Sequence, residues 1–250
     1  MNSTGRVIVK LPKLNIPYVY VEPVLIDIDK LVPHEEIVEG RLNNLIEQFR
    51  KDNAVDMPII VAEIPGLDKY LIVDGHHRWA ALMKMGYRKI PCVIIDYFSD
   101  NVKLKTWYPA IIGSIKPVIT ELSKKLVVDK CDYSIENISE KDIGKYAFVI
   151  IGRKECYSIP GGVDEQRIVS NILSQLNLEN MFTLVYYGEL SEALEDLLKN
   201  EVDYIFLRKS ITKNDVIEIV KKNKVYPPKT TRHILPFYPE KTYTSLKQLE

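Results

Sequence analysis

Three cysteines in 250 residues, Cys92, Cys131 and Cys156, are odd in number and widely spaced. They fit neither a disulfide framework nor a zinc motif, so the sequence predicts three buried, reduced thiols. Excess charge is missing as well, since 34 basic residues face 34 acidic ones. A broad nucleic-acid-binding face normally needs a basic surplus, and no nucleic-acid partner is expected. No apolar run is long enough to cross a bilayer and no hydrophobic leader opens the chain. Those absences predict a cytoplasmic protein with no membrane partner. Glutamine is scarce beside lysine, glutamate and isoleucine, a balance found in thermophiles. Histidine is scarce too, with four in all.

What is there is an ordinary globular composition, 46% hydrophobic and 27% charged, in a length that suits one large domain or two small ones. The four histidines are not scattered. They fall in Pro33-His34-Glu35, in Asp74-Gly75-His76-His77-Arg78-Trp79 and in Thr230-Thr231-Arg232-His233. The central cluster follows Tyr70-Leu71-Ile72-Val73, an apolar, β-prone run that reads as a buried strand. Asp74-Gly75 is a turn signal. From His76 the pattern becomes helical, with Trp79, Leu82 and Met83 on one face and Gly86 as a C-cap. A strand, a glycine turn and a helix start leave N–H groups and the positive end of a helix dipole facing outward, which suits an anion. The residues alone fit a capped helix with a solvated first turn as well.

Elsewhere the chain predicts an extended arm or edge segment over residues 1–17, an edge strand at 18–28, and a helix at 41–51 with Leu42, Leu45, Ile46 and Phe49 inward. Strands follow at 58–62, 70–73 and 90–96. This gives an α/β domain over residues 1–105, with Thr106-Trp107-Tyr108-Pro109-Ala110 crossing to a second α/β domain over 106–250. That domain predicts helices at 116–126, 164–176, 191–199 and 213–223, and strands at 146–151, 156–159, 182–187 and 204–208. The proline-rich segment 225–239 lacks any period and reads as a loop.

The box Asp74-Gly75-His76-His77-Arg78-Trp79 resembles that of the ParB/sulfiredoxin-like superfamily, and more closely that of the free L-serine kinases of archaea and their bacterial relatives in siderophore biosynthesis. The similarity extends in order through Pro33-His34-Glu35, Thr106 to Ala110, Ile159-Pro160-Gly161-Gly162, Tyr186-Tyr187-Gly188 and Thr230 to Pro236. It implies a ParB/sulfiredoxin-like N-terminal domain that binds nucleotide phosphate, a second α/β domain with a substrate-binding C-terminal loop, and an active-site cleft between them. The implied reaction moves the terminal phosphate of ATP or ADP to free L-serine, giving O-phospho-L-serine for cysteine or related biosynthesis.

Phosphoryl transfer needs phosphates held, charge neutralised and the acceptor hydroxyl placed and deprotonated. Gly75 would let backbone approach the phosphates, while His76, His77 and Arg78 supply donors, Arg78 bidentately. Asp74 beside phosphates calls for a cation, and Mg2+ held directly or through water answers that. Its other reading is a turn-capping aspartate. Residue types alone do not choose between Glu35 and Glu36 as general base; the resemblance selects Glu35. It also assigns Trp107 to the substrate pocket. Thr230, Thr231, Arg232 and His233 suit a carboxylate or phosphate, though an ordinary basic loop reads the same way. The Pro160-Gly161-Gly162 turn is equally open between phosphate cradle and simple turn. The alternative to a kinase is a ParB-like nucleotide-dependent DNA-binding or regulatory protein, disfavoured by neutral charge and the lack of a helix-turn-helix segment. Sulfiredoxin-type reduction would need a cysteine where His76 and His77 stand.

Overall fold

The computed structural model describes residues 5–250. Its chain falls into two compact units that are interleaved along the sequence. One holds the arm up to Lys13 together with Lys105–Ile211 and Lys229–Arg232; the other holds Leu14–Leu104, Thr212–Pro228 and His233–Glu250. The sequence reading placed a single cut at 105/106. The structure exchanges both chain ends across that cut, because each end completes the sheet or core of the other unit.

The unit containing the central box is a five-stranded mixed sheet in the order Val24–Asp27, Lys89–Ile94, Ile59–Glu63, Tyr70–Asp74, Leu31–Val32. Tyr70–Asp74 runs antiparallel to Ile59–Glu63 and parallel to the short Leu31–Val32 strand. Val24–Asp27 takes the edge after Pro23, where a residue without a donor is tolerated. Helix Glu39–Asp52 turns Leu42, Ile46 and Phe49 into the core, with Phe49 fully buried. Helix His76–Met85 buries Ala80, Ala81 and Leu82. Its inward face is therefore small, and Met83, expected inside, is 50% exposed. Gly86 caps it at φ 85°, its N–H donating toward the Leu82 and Met83 carbonyls. Leu246 and Leu249 return from the far end of the chain to this same core.

The other unit is a seven-stranded sheet in the order Val7–Lys10, Thr183–Tyr187, Tyr108–Ile112, Tyr204–Leu207, Tyr146–Gly152, Cys156–Pro160, Asp129–Cys131. It is antiparallel except for the edge strand Val7–Lys10. Side chains alternate between faces along a strand. Phe148 and Ile150, with Leu184, Tyr186 and Phe206, enter a core under helix Val163–Leu178, while Val149, Ile151, Val185 and Tyr187 enter another with Ala193 and Leu197 of helix Leu190–Leu198. Covering on both faces explains why these strands read as unbroken apolar runs.

Three expectations change. Thr106 to Ala110 is no bare crossing, since Tyr108–Ile112 is an interior strand of the seven-stranded sheet. Pro109 obscured it; only Ala110 and Ile111 join the ladder to Tyr204–Leu207, which leaves the proline outside that ladder. The segment 225–239 contains two short strands, Thr231–Ile234 and Tyr238–Pro239. And Cys131 and Cys156 form a disulfide, with Cα atoms 5.1 Å apart. They are direct partners in the antiparallel pairing of Asp129–Cys131 with Cys156–Pro160, a register that spacing along the chain does not reveal. Cys92 alone is a buried free thiol, its pKa pushed up by burial.

Candidate active site

Gly75 sits between the Tyr70–Asp74 strand and the His76–Met85 helix at φ 101°. A Cβ there would lie 2.5 Å from Ile59 Cγ2 and 3.1 Å from Arg78 Nη2, so both the backbone angle and the space require glycine. The first N–H to return into the helix is that of Trp79, donated to the Gly75 carbonyl. Those of His76, His77 and Arg78 precede it at the positive end of the dipole.

The side chains of the box are organised more tightly than sequence suggests. Arg78 Nη1 donates to the carbonyls of Pro58 (2.9 Å) and Met57 (3.3 Å), and Nη2 donates to Asp74 Oδ2 at 2.6 Å. The Arg78 side chain is 15% exposed and that of Asp74 42%. Arg78 thus pairs with Asp74, and its guanidinium fork, expected on phosphate, is engaged within the protein. Among the described residues no group of three or more His, Cys, Asp or Glu side chains is arranged to hold a metal ion. His77 Nε2 accepts the Val38 N–H at 3.1 Å, fixing the approach to helix Glu39–Asp52.

His34, His76 and His233 form one cluster, His34 buried and the other two half-buried. The His34 and His76 ring centroids are 4.6 Å apart, those of His34 and His233 5.2 Å, both edge to face. His34 Nδ1 lies 2.8 Å from the Ile72 carbonyl, which can only accept, so that nitrogen carries the proton. The His34 backbone N–H donates to His76 Nε2 at 3.3 Å. His233 Nε2 is 2.9 Å from the Tyr97 hydroxyl. Burial pushes His34 down to about 4. Burial, and then the neighbouring imidazoles, hold His76 well below its ordinary value; His233 is lowered by burial, then by His34 and Lys213. All three rings are neutral near pH 7.

Glu35 is half-buried beside His34. Its backbone pairs with Tyr226 as an isolated parallel bridge: Tyr226 N–H donates to the His34 carbonyl (2.8 Å) and Glu36 N–H to the Tyr226 carbonyl (2.9 Å). Tyr226 lies just beyond helix Lys213–Lys221, so a distant element sets the position of Glu35.

The remaining expected residues gather in the other unit. Trp107, 6% exposed, meets Tyr186 edge to face at 6.5 Å and carries Lys229 Nζ 4.3 Å from its ring centroid. The Trp107 N–H donates to the Thr230 carbonyl at 3.1 Å. Thr230 and Thr231 are buried. Arg232, 8% exposed, donates Nη1 to the Gly188 carbonyl (2.8 Å) and to Glu189 Oε1 (3.3 Å), while its buried Nη2 has no protein partner. A buried guanidinium nitrogen left unpaired is costly unless a ligand meets it. His233, next in sequence, joins the histidine cluster instead. At Gly161 and Gly162 the Glu165 carboxylate accepts the Gly162 N–H at 2.7 Å. The chain supplies its own anion there, and that turn is a helix cap.

Sequence reasoning missed Tyr97, Arg208 and Glu189. Arg208 had a signal, a cation closing the apolar run Tyr204-Ile205-Phe206-Leu207. Tyr97 and Glu189 had none.

The L-serine kinase SerK C-terminal domain model matches residues 106–208, and the ParB N-terminal domain model matches residues 13–107. The chain is 60% identical to the ATP-dependent L-serine kinase of Staphylothermus marinus over 100% of both chains. It is 45% identical to the ADP-dependent L-serine kinase SerK of Thermococcus kodakarensis, covering 96% of this chain and 98% of that one. A solved free serine kinase in complex with ADP, carrying one glutamate-to-alanine change, superposes with TM-score 0.90 at 43% identity over 97% of this chain and 100% of that one.

Proposed function

The chain belongs to the L-serine kinase family, and from that membership we propose that it transfers the terminal phosphate of ATP to free L-serine, giving O-phospho-L-serine and ADP. Two relatives at 60% identity are ATP-dependent and the one at 45% is ADP-dependent, which favours ATP as donor. The product would feed cysteine or related amino-acid biosynthesis, and the enzyme would work in the cytoplasm.

The start of the His76–Met85 helix carries the reading. A glycine turn with no room for a side chain, first-turn N–H groups and neutral imidazoles offer an anion many donors and little competing charge. In this reading Gly75, His76 and His77 receive the nucleotide phosphates. Arg78 acts chiefly by neutralising Asp74 and by tying the helix to Met57 and Pro58. One half-exposed carboxylate fits Mg2+ in its usual mode, a single acidic ligand with phosphates and waters completing the shell. Asp74 would hold that ion, which neutralises developing phosphate charge.

Glu35 takes the proton from the serine hydroxyl as its oxygen bonds to the γ-phosphorus. The bond from that phosphorus to the β,γ-bridging oxygen breaks, and ADP leaves with the electron pair. Trp107, Thr230, Thr231 and Arg232 form the acceptor side, the unpaired Arg232 Nη2 meeting an anionic group of the amino acid. His233 serves through its contacts with His34 and Tyr97. Purified protein with L-serine, Mg2+ and either nucleotide tests the reading. O-phosphoserine should form with ATP; its absence with both nucleotides would refute the kinase, and formation with ADP alone would reverse the donor assignment.

A further inference from the structure

Arg208 is 2% exposed and follows directly on the Tyr204–Leu207 strand. Its Nε and Nη2 donate to the Trp107 carbonyl at 3.1 and 2.8 Å. Its Nη1 donates to the Thr230 hydroxyl at 3.0 Å, and Nη2 also reaches the Lys229 carbonyl. The guanidinium carbon stands 5.4 Å from the Phe148 ring centroid, over the core. One planar fork thus joins the chain at Trp107 to the chain at Lys229 and Thr230, segments far apart in sequence.

The loop it grips has no regular structure between Tyr226 and Thr230. The stretch from Tyr226 to Thr230 has two prolines and no helix, and Lys229 is held at φ 59°, a left-handed angle that a non-glycine residue adopts only under constraint. Two residues further on, Arg232 is held through Nη1 by Gly188 and Glu189, and Glu189 Oε2 also takes Lys105 Nζ at 3.2 Å. These clamps act on the two ends of Lys229–Arg232. What they leave over is the buried, unpartnered Arg232 Nη2.

We propose that Arg208 is the positioning residue of the acceptor side: it sets the Lys229–Thr230 turn against Trp107 so that Arg232 Nη2 is aimed before the amino acid arrives. This rests on the kinase reading above and adds how its acceptor residues are held. All three guanidinium nitrogens of Arg208 are bonded within the protein, so its role is one of position. Holding the loop in place ahead of binding removes an ordering cost that would otherwise weaken serine affinity. A lysine cannot replace it, because a single ammonium on a flexible stem does not span three acceptors in one plane.

The test measures wild type, Arg208→Lys, Thr230→Val and the double variant with L-serine and ATP, together with nucleotide affinity and thermal unfolding. Arg208→Lys should raise KM for L-serine by about tenfold or more, with nucleotide affinity within about twofold of wild type. If Thr230 and Arg208 act as one clamp, the double variant should be no worse than the worse single one. A folded Arg208→Lys protein with an unchanged serine KM overturns the proposal. So does a parallel loss of nucleotide and serine affinity, which marks a merely structural arginine. Should Arg208→Lys fail to fold, Thr230→Val removes one acceptor and leaves the guanidinium in place; an unchanged serine KM there overturns the proposal too. Wild type inactive on L-serine with both nucleotides refutes the kinase reading itself, whereas active wild type with indifferent variants refutes only the role of Arg208.

Discussion

The two units bury polar groups by opposite means. The five-stranded unit withdraws imidazoles from water and keeps them neutral: His76 and His233 both pack against buried His34, and desolvation holds all three below their ordinary pKa. The seven-stranded unit buries guanidinium groups and surrounds them with carbonyls, a hydroxyl and one carboxylate. Neutral rings give a polyphosphate donors without fixed charge. Fixed cations suit a small anionic amino acid. The difference also means that mild acid should act first on the five-stranded unit, while the lowered carboxylates of the other, Asp142, Glu155 and Asp196, give way only at lower pH.

The largest effect should come from Glu35. Glu35→Gln keeps size and most hydrogen bonding but removes the base, and turnover should fall about 10²–10⁴-fold with little change in nucleotide affinity. Glu36→Gln, one residue along, should stay near wild type. Loss with Glu36→Gln and not with Glu35→Gln would place the base on the neighbouring residue.

Acid and reductant then separate the units. Unfolded histidine titrates near 6.5, and His34 in the fold near 4, so between those values the unfolded state holds more protons. The stability tied to neutral His34 is complete above about pH 6.5 and falls as pH drops, by about 3 kcal/mol below pH 4. Hydrogen exchange at Ile72 should accelerate in that window before exchange at Phe148 does. The reverse order would break the contrast. Reduction, or Cys131→Ser with Cys156→Ser, addresses the other unit and should cost about 3 kcal/mol for a sequence separation of 25, read as a fall in denaturation midpoint. A midpoint unaffected by reductant would remove the cross-link from the comparison.

A smaller effect is expected from Arg78→Ala. The side chain links Asp74 to the Met57 and Pro58 carbonyls, so stability should drop by about 1–3 kcal/mol alongside weaker nucleotide binding. Weaker nucleotide binding with no loss of stability would return Arg78 to the phosphate as a direct contact.

Local pattern was readable where one short-range rule governs. Gly75 and Gly86 bracket a helix as their types suggest, and Leu42, Ile46 and Phe49 enter the core at helical spacing. The free L-serine kinase motifs, read in order, also identified the family that the comparisons show. What failed depends on partners remote in sequence. Nothing near Cys131 announces that its ladder neighbour is Cys156. Nothing in Thr231-Arg232-His233-Ile234 shows that a proline-rich stretch holds a strand. Arg78 reads in the sequence as a phosphate ligand, and its bonds to the Met57 and Pro58 carbonyls depend on a segment that its neighbours in sequence do not announce. Tyr97 could not be paired with His233 without the fold.

The return of Leu246 and Leu249 into the core around Phe49 has a consequence for synthesis. A ribosome delivers the five strands of this sheet by residue 94, yet two side chains of its core, Leu246 and Leu249, follow only after every strand of the other unit has been made. Until then the nascent sheet carries an unfilled apolar gap, and the strand Thr244–Ser245 has not yet covered the Ala54–Val55 edge. Exposed apolar surface and an open strand edge are the features that chaperones bind and that seed aggregation. Leu246 and Leu249 therefore act as a plug, and a chain stalled before Leu246 should be the form that quality control removes.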